Sequence, residues 1–336
     1  MIIEDCRLTN FRSHEFFELK CWKETTMISG ENGSGKTSIL EAIYEALRGK
    51  SFRATDKEIL RRGAEFYRVE LLYADGEKVV VVYEKDGKKS FLVGDKKTVR
   101  LPKKYKYPVV LFEPDDLNLV SCSPHRRREY FDRSFGQLEE RYSVALSKYE
   151  KALKQRNELL KSDYVSGEAV FSWNVMLARL GVEIWKFREE QLGRINERLT
   201  EVYRSIAENE DEVEVRLKRD EEVESESGYL RELERSFEKD KVLGHTSFGA
   251  HRDNYEFRFN GVSAEGSASR GEVRSMVVAL KFIEAEMILE TVGKAPVVLL
   301  DDVFSELDET RQKALVYNFK KNQVIITSVG AVEDIE

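Results

Sequence analysis

Hydrophobic positions along this chain change period several times, and each change marks a new element. Residues 2–8 and 26–29 read as strands. The second stops at a glycine-rich loop, after which Ile39, Leu40, Ile43, Ala46 and Leu47 recur at helical spacing across 37–48. From Arg68 to Phe112 the pattern shortens to β-like runs at 69–73, 78–83, 91–93 and 109–112. The turn pairs Asp75-Gly76 and Asp86-Gly87 between them predict an antiparallel hairpin sheet. Ser123 followed by Pro124 then caps a long helix, whose Phe131, Phe135, Leu138, Tyr142, Ala145, Tyr149 and Ala152 alternate spacings of four and three. A second such seam runs through Trp173, Leu177, Leu180, Ile184 and Phe187 and, after a slip near Gln191, through Ile195, Leu199, Val202 and Ile206. With a turn at 162–167 between them, the two seams predict an antiparallel helical hairpin, each arm about 35 residues and about 50 Å long.

Beyond an acidic stretch at 208–226, which contains the alternating Val213, Val215 and Leu217, a short helix near 229–239 leads to strand-like Tyr255, Phe257 and Phe259. A helix over 271–290, an apolar strand over 297–300, a helix over 309–319 and a strand over 324–327 complete the pattern. The expected fold is α/β, a mixed-sheet head with an antiparallel β subdomain, split by an inserted α-helical hairpin domain. The expected boundaries are 1–120 with 244–336 for the head and 121–243 for the insertion.

Composition narrows the function classes. The 336 residues suffice for about two domains, and 41% apolar residues can fill both cores. The charged fraction is 35%, yet 62 acids against 55 bases leave a net charge of only −7, which suits an ion-pair-laced soluble surface. An acidic total argues against nonspecific nucleic-acid coating and leaves room for a local basic site. No apolar run approaches the ~20 residues a bilayer requires, and acids stand in the first 18 residues where a secretory signal would be basic and then apolar. A cytoplasmic protein without a membrane partner is expected. Cys6, Cys21 and Cys122 are far apart and the four histidines lack ligand spacing, so neither a disulfide framework nor a zinc knuckle is indicated.

The loop Gly30-Glu31-Asn32-Gly33-Ser34-Gly35-Lys36-Thr37 fits the phosphate-loop pattern and sits between a strand and a helix, as that pattern requires. Its glycines would let backbone N–H groups turn inward around phosphates, Lys36 would reach the β- and γ-phosphates of ATP, and the Thr37 hydroxyl would ligate Mg²⁺. The alternative is a glycine turn that merely caps the helix. The apolar 297–300 segment ends in Asp301-Asp302. Asp301 would then stand at a sheet's C-terminal edge, with the metal, and Asp302 where a second carboxylate could orient or deprotonate water. Alone, two acids after a strand are more often a solvated turn; paired with the phosphate loop they point to catalysis. Ser269-Arg270-Gly271-Glu272 is both a capping box and an anion-binding helix start. Since a molecule's own phosphate loop already envelops its nucleotide, this second anion site suggests the ATP of another copy.

The order of these features resembles the ABC-type ATPases of DNA maintenance and, within them, the RecF family. The shared landmarks are Leu8-Thr9-Asn10-Phe11-Arg12, the loop at 30–37, Ser51-Phe52-Arg53, 111–117, Arg126-Arg127-Arg128, His251-Arg252-Asp253 and 299–308 with Ser305-Glu306-Leu307-Asp308. They are spread over almost the whole chain. The resemblance implies a weak, DNA-stimulated ATPase head that uses Mg²⁺, dimerises around two nucleotides and holds double-stranded, gapped or junction DNA, with slow hydrolysis resetting it. It also implies cooperation with RecR and RecO in loading the RecA recombinase, and a nucleoid-associated location. Under it, Ser269, Arg270, Gly271 and Glu272 face the partner's γ-phosphate, Ser305 and Asp308 form a D-loop across the interface, and Thr327 takes the switch position after the last strand. Arg270 departs from the family pattern, where Gly or Gln is common, and no Gln follows 109–112. Glu113, Asp115 or Asp116 could replace that Gln, or Pro114 could simply make a turn.

Two basic clusters are candidate DNA contacts. Residues 85–106 hold nine bases against two acids, including Lys88, Lys89, Lys103 and Lys104. Arg126, Arg127 and Arg128 lie in a helix's first turn, where the dipole disfavours cations by a few tenths of a kcal/mol each. Either could instead be a solvated face. Competing readings are an SMC-like chromosome-maintenance ATPase, which would have arms of hundreds of residues, and a transporter's ATPase subunit, which would have a compact helical subdomain. A hairpin of about 80 residues beside basic clusters fits neither.

Overall fold

The computed structural model describes residues 2–162, 164–219 and 223–329. Packing divides the chain into two compact units, Met1–Leu117 with Glu284–Glu336, and Asn118–Ile283. The first unit opens with β1 (Ile3–Phe11), β2 (His14–Lys20), β3 (Thr25–Ser29), helix α1 (Lys36–Arg48) and the single turn α2 (Asp56–Ile59). Strands β4 (Phe66–Tyr73), β5 (Lys78–Glu84), β6 (Lys89–Val93), β7 (Lys96–Thr98) and β8 (Val109–Phe112) follow. The second unit contains α3 (Pro124–Leu138), α4 (Glu140–Leu160), α5 (Gly167–Ala207), β9 (Val213–Lys218), α6 (Glu226–Arg235), α7 (Phe237–Leu243), β10 (Asn254–Phe259) and β11 (Val262–Ser263). Helix α8 (Arg270–Val292) carries the division within its length, and β12 (Val297–Leu300), α9 (Glu309–Phe319) and β13 (Val324–Ser328) return to the first unit.

Two sheets share α1 as their core. The antiparallel sheet has order β2-β1-β4-β5-β6-β7, and the parallel sheet β3-β13-β12-β8. In β4 the alternate residues Tyr67, Val69, Leu71 and Tyr73 are buried, the period-two signature of a sheet with one dry face. All four residues of β8 and of β12 are buried, which is what a parallel strand covered on both faces demands. That pairing corrects one expectation. The 109–112 segment does not join the hairpin sheet but lies parallel to β12, Val109 opposite Val297 through Phe112 opposite Leu300. Strand β2 has no counterpart in the sequence expectations, because its HEFFELK is a mostly exposed edge strand interleaved with acids.

The first helical arm is not continuous. It breaks between α3 and α4 at Glu139, which is extended (φ −139°, ψ 125°). Gly136 lies in the last turn of α3, and the Ser143 hydroxyl donates to its carbonyl at 3.0 Å, satisfying an acceptor that the helix end leaves open. The other arm, α5, runs 41 residues without interruption through Gln191, about 60 Å at 1.5 Å per residue. It is therefore far longer than α4, with 21 residues.

The packing boundary also differs from the expected 121–243. Strands β9, β10 and β11 form their own sheet in the second unit, and α5 closes the edge of β9. Asn196 Nδ2 donates to the Val215 carbonyl at 2.9 Å while its Oδ1 accepts the Val215 N–H at 3.0 Å, and Thr200 Oγ1 donates to the Val213 carbonyl at 2.9 Å. An edge whose backbone groups are met by helix side chains holds β9, and β10 paired to it, to the helices.

Candidate nucleotide-binding site

Parallel strands β3, β13 and β12 end together at one edge of the first unit, and the loop 30–37 leaves β3 there. Gly30 N donates to Ser328 O at 3.3 Å, tying the loop's first residue to the end of β13. Gly35 has φ +96°, a left-handed conformation that costs a side chain strain, and a Cβ there would collide with the His14 ring and the Ser13 hydroxyl. His14 Nε2 lies 3.1 Å from Gly35 O, so β2 braces the loop from outside, a contact that nothing in the chain's periodicity announces.

Helix α1 begins at Lys36 with no side-chain cap at Gly35. The first N–H groups of such a helix lack intrahelical acceptors and face outward with the positive end of the dipole, which suits an anion. Lys36 is buried and curls over the loop, its Nζ donating to Gly30 O at 2.9 Å and Glu31 O at 3.1 Å. The same ammonium is 3.8 Å from Asp302 Oδ2.

The acids at the end of β12 meet the loop. Thr37 Oγ1 donates to Asp301 Oδ1 at 2.8 Å, and Thr327 Oγ1 donates to the same oxygen at 3.0 Å. Burial pushes the Asp301 carboxyl above its ordinary range, against the two hydroxyls that stabilise the anion. Asp302 adopts φ +50°, unusual for a side-chain-bearing residue, and its N–H donates to Thr327 Oγ1 at 2.9 Å. Its Oδ1 is buried without a hydrogen-bond partner among the described residues. Thr327 thus links both acids. A hydroxyl and a carboxylate 2.8 Å apart, with a further carboxylate oxygen left open beside them, form an all-oxygen donor set suited to Mg²⁺ that keeps water and phosphate ligands. Thr37 and Asp301 would hold the ion, which when bound would supply positive charge against that of the phosphates.

Behind the loop, α1 carries Glu41, whose buried carboxylate is clamped from two sides. Arg12 reaches it with Nε at 3.0 Å and Nη2 at 2.9 Å, Arg53 with Nε at 3.1 Å and Nη2 at 2.9 Å, and the Ser51 hydroxyl donates at 2.7 Å. These hydrogen bonds hold Glu41 below its usual range despite burial. Arg12 and Ser51-Phe52-Arg53 are sequence landmarks whose common partner, Glu41, the helical pattern hides among apolar neighbours.

The remaining candidates separate into placed and displaced residues. Ser269 and Glu272 form the expected capping box, with Ser269 N donating to Glu272 Oε2 at 2.5 Å and Glu272 N to Ser269 Oγ at 3.3 Å, and Ser269 and Arg270 are exposed. Gly271 lies in the first turn of α8. They belong to the second unit and the phosphate loop to the first. Ser305 Oγ donates to Asp302 O at 2.8 Å, and Asp308 caps α9 by accepting the Arg311 N–H at 3.0 Å. Both are exposed on the loop beyond β12. Asp116, one of the three acids weighed as a Gln substitute, is buried and spends Oδ2 on the Glu113 N–H at 3.1 Å, closing the turn at Pro114.

Two basic candidates are corrected. Lys89 does not face solvent: its Nζ lies 2.7 Å from Glu45 and 2.5 Å from Asp56. Arg127 is buried, with Nε donating to Asn254 Oδ1 at 2.8 Å and Nη1 to Val120 O at 2.8 Å. Both are spent on internal acceptors because a stem buried in a core must bring its charge to a partner. Arg128 is half-buried and Arg126 partly exposed, whereas Lys88, Lys103 and Lys104 are exposed.

Comparison with known proteins agrees with this geometry. A family model described as an AAA domain matches residues 6–243. The DNA replication and repair protein RecF of Clostridium acetobutylicum is 32% identical over 346 residues, covering 100% of this chain and 94% of its own. The protein of the same name from Alkaliphilus oremlandii is 33% identical over 341 residues, covering 98% and 93%. Among solved structures, the recombination mediator protein RecF-ATP of the RecFOR pathway matches with a TM-score of 0.87 at 27% identity, covering 100% of this chain and 93% of that one. An Smc head bound to the C-winged helix domain of ScpA, at a TM-score of 0.53 and 17% identity, shares the fold alone. A phosphate loop joined by Thr37 to the Asp301 strand, in a chain matched end to end by RecF relatives, leads to one conclusion: this chain belongs to the RecF family.

Proposed function

We propose that the chain is an ATP-switched DNA-binding protein of recombinational repair and replication maintenance. The observation that carries this reading is the line Thr37, Asp301, Thr327, Asp302, in which one hydroxyl from the phosphate loop and one from the last strand hold two adjacent acids beside a buried lysine. ATP supplies the polyanion for Lys36 and the open N-terminus of α1, and Thr37 and Asp301 hold its Mg²⁺. Asp302, with an unpartnered oxygen, orients the attacking water, and Thr327 reports the state of both acids to the strand that carries it. Hydrolysis is slow and stimulated by DNA.

ATP binding closes a homodimer, with Ser269, Arg270, Gly271 and Glu272 of one copy and its Ser305–Asp308 loop addressing the nucleotide held by the other. The closed pair binds double-stranded DNA at gaps or junctions, with Lys88, Lys103, Lys104 and the solvent-facing part of the Arg126–Arg128 turn as candidate phosphate contacts, and acts with RecR and RecO to load RecA. The place of action is the cytoplasm, at the nucleoid. Among the described residues no helix is long and apolar enough to cross a membrane.

Light scattering on the Asp302→Asn variant tests the switch, with no nucleotide, Mg²⁺-ADP or Mg²⁺-ATP, and with gapped duplex DNA in a parallel series. The expected result is a doubling of mass with ATP alone, accompanied by DNA retention, and its loss in Ser269→Arg, which keeps monomer ATP binding. A chain that binds ATP and remains monomeric with DNA present would overturn the switch. A Ser269→Arg variant unable to bind ATP as a monomer would overturn the cross-subunit role.

A further inference from the structure

The turn before β10 contains His251-Arg252-Asp253, and its outer two side chains are fully occupied inside the second unit. His251 Nδ1 lies 2.9 Å from the Tyr149 hydroxyl and Nε2 3.0 Å from Thr246 O. Asp253 Oδ2 accepts from Trp185 Nε1 at 2.7 Å and from Arg188 Nη1 at 2.7 Å. The turn is closed by Arg252 N donating to Gly249 O at 2.8 Å, and Gly249 (φ +128°) leaves no room for a side chain beside the Tyr149 and Tyr229 hydroxyls. Between two anchored neighbours, Arg252 is exposed. The turn therefore presents a single guanidinium on a fixed backbone, at a much lower entropic cost of ordering than a free surface loop would carry.

Helix α3 brings a second cation to the same spot. Arg128 Nη1 donates to the Asp253 carbonyl at 2.6 Å, one residue from Arg252, while its neighbour Arg127 holds Asn254. Lys218 is exposed and lies opposite Asn254 in the β9–β10 pairing. Of the nearby carboxylates, Asp253 and Asp132 are both engaged by the buried Arg188, and Glu256 and Glu265 line the cleft that holds Lys218. Burial, Arg188 and Arg252 lower the Arg128 pKa against the opposing pull of Asp253 and Asp132, and His251 is pushed down to about 4, so it adds no charge at neutral pH. Like charges held together in this way are destabilising until an anion joins them.

We infer that Arg252, with Arg128 beside it and Lys218 across the strand pair from Asn254, is a pre-positioned grip for a backbone phosphate of duplex DNA. The proposal rests on the DNA-binding reading above and assigns a residue which that reading leaves without a role. A backbone phosphate suits the site better than a nucleotide. The cations lie on an open turn and strand end, and contacts of this kind fix register on a duplex without reading its bases.

The test is fluorescence anisotropy of the full chain with a labelled duplex and Mg²⁺-ATP across a salt series. Arg252→Ala is expected to weaken binding roughly five- to tenfold, equally for unrelated sequences, and to reduce the log–log salt slope by about one. Arg252→Lys should recover much of the affinity, and Lys218→Ala should show a smaller loss of the same kind. Urea midpoint, ATP affinity and the ATP-dependent mass should be unchanged in Arg252→Ala, because the side chain is solvent-facing. Parental affinity in Arg252→Ala would overturn the grip and leave the DNA-binding reading standing. Loss of ATP binding or of the mass shift would assign Arg252 to nucleotide or dimer contacts and overturn it too. A parent chain that binds no duplex would overturn both.

Discussion

Lys36 and Asp302 at the phosphate loop and the arginines in the core of the helical unit are charges drawn inward, but they are met in different ways. In the helical unit Arg156 is fully buried and saturated, with Nε donating to Asn174, Nη1 to Asp240 and Thr246 at 2.7 Å each, and Nη2 to Leu233 O. Arg188 is likewise divided among Asp132, Asp253, Tyr142 and Ala250 O. At the phosphate loop, Lys36 donates to two carbonyls with Asp302 at 3.8 Å, α1 starts without a side-chain cap, Asp302 sits at φ +50° and its Oδ1 has no partner among the described residues. Arg156 and Arg188 are met on every nitrogen because an unpaired buried ion costs several kcal/mol. Where the fold tolerates strain and an unmet acceptor, it keeps room for a ligand.

The strongest way to break this contrast is Arg188→Ala. Removing it strands Asp253 in a dry core, takes the cation from the partly exposed Asp132, and should cost about 3–5 kcal/mol in urea unfolding; a loss below about 1 kcal/mol would mean the network is not saturated as described. Lys36→Ala should do the reverse. Titration calorimetry should find ATP affinity reduced roughly a hundredfold, about 2.7 kcal/mol, while unfolding moves by less than about 1 kcal/mol. Thr327→Val keeps the shape and removes the hydroxyl that joins both acids, so it should cost about 1–2 kcal/mol of stability and slow ATP turnover more than ATP binding. Turnover equal to the parent's would show that the link is only structural.

The smallest effect belongs to Glu45, where burial, opposed by Lys89, pushes the carboxyl from 4.5 up to about 7. The folded state therefore holds a proton that the unfolded chain has lost. Its stabilising contribution is complete below pH 4.5 and is lost as pH rises through about 7. Unfolding midpoints followed across that window should decline for the parent and be flatter in Glu45→Gln.

The first kind of charge was hidden in the sequence and the second kind legible. Glycines at fixed offsets before Lys36-Thr37, and Asp301-Asp302 after four apolar residues, are local patterns, so the strand, loop and helix lie where the periodicity places them. Arg156 and Asp240 meet across 84 positions, and nothing local distinguishes them from surface charges. For the same reason Arg127 and Lys89 read as surface cations while the fold draws them inward. The break at Glu139 escaped because the heptad spacing continues across it, with the apolar seam preserved on both sides. Strand β2 escaped because edge exposure replaces hydrophobic alternation with acids.

The parallel sheet carries a consequence for how the molecule is made. Among the described residues strand β3 finds its neighbour in β13, where Thr26 lies opposite Ile325, and Gln323 hydrogen-bonds to both backbone groups of Ile3. The antiparallel strands β4 to β7 can zip from local turns as they leave the ribosome, but the strand that presents the phosphate loop must wait for a partner almost 300 positions later. At roughly 5–20 residues per second, that is a delay of about 15–60 seconds. During it, β3 has an unpaired edge, and the helical unit has time to fold before the nucleotide site closes around its loop.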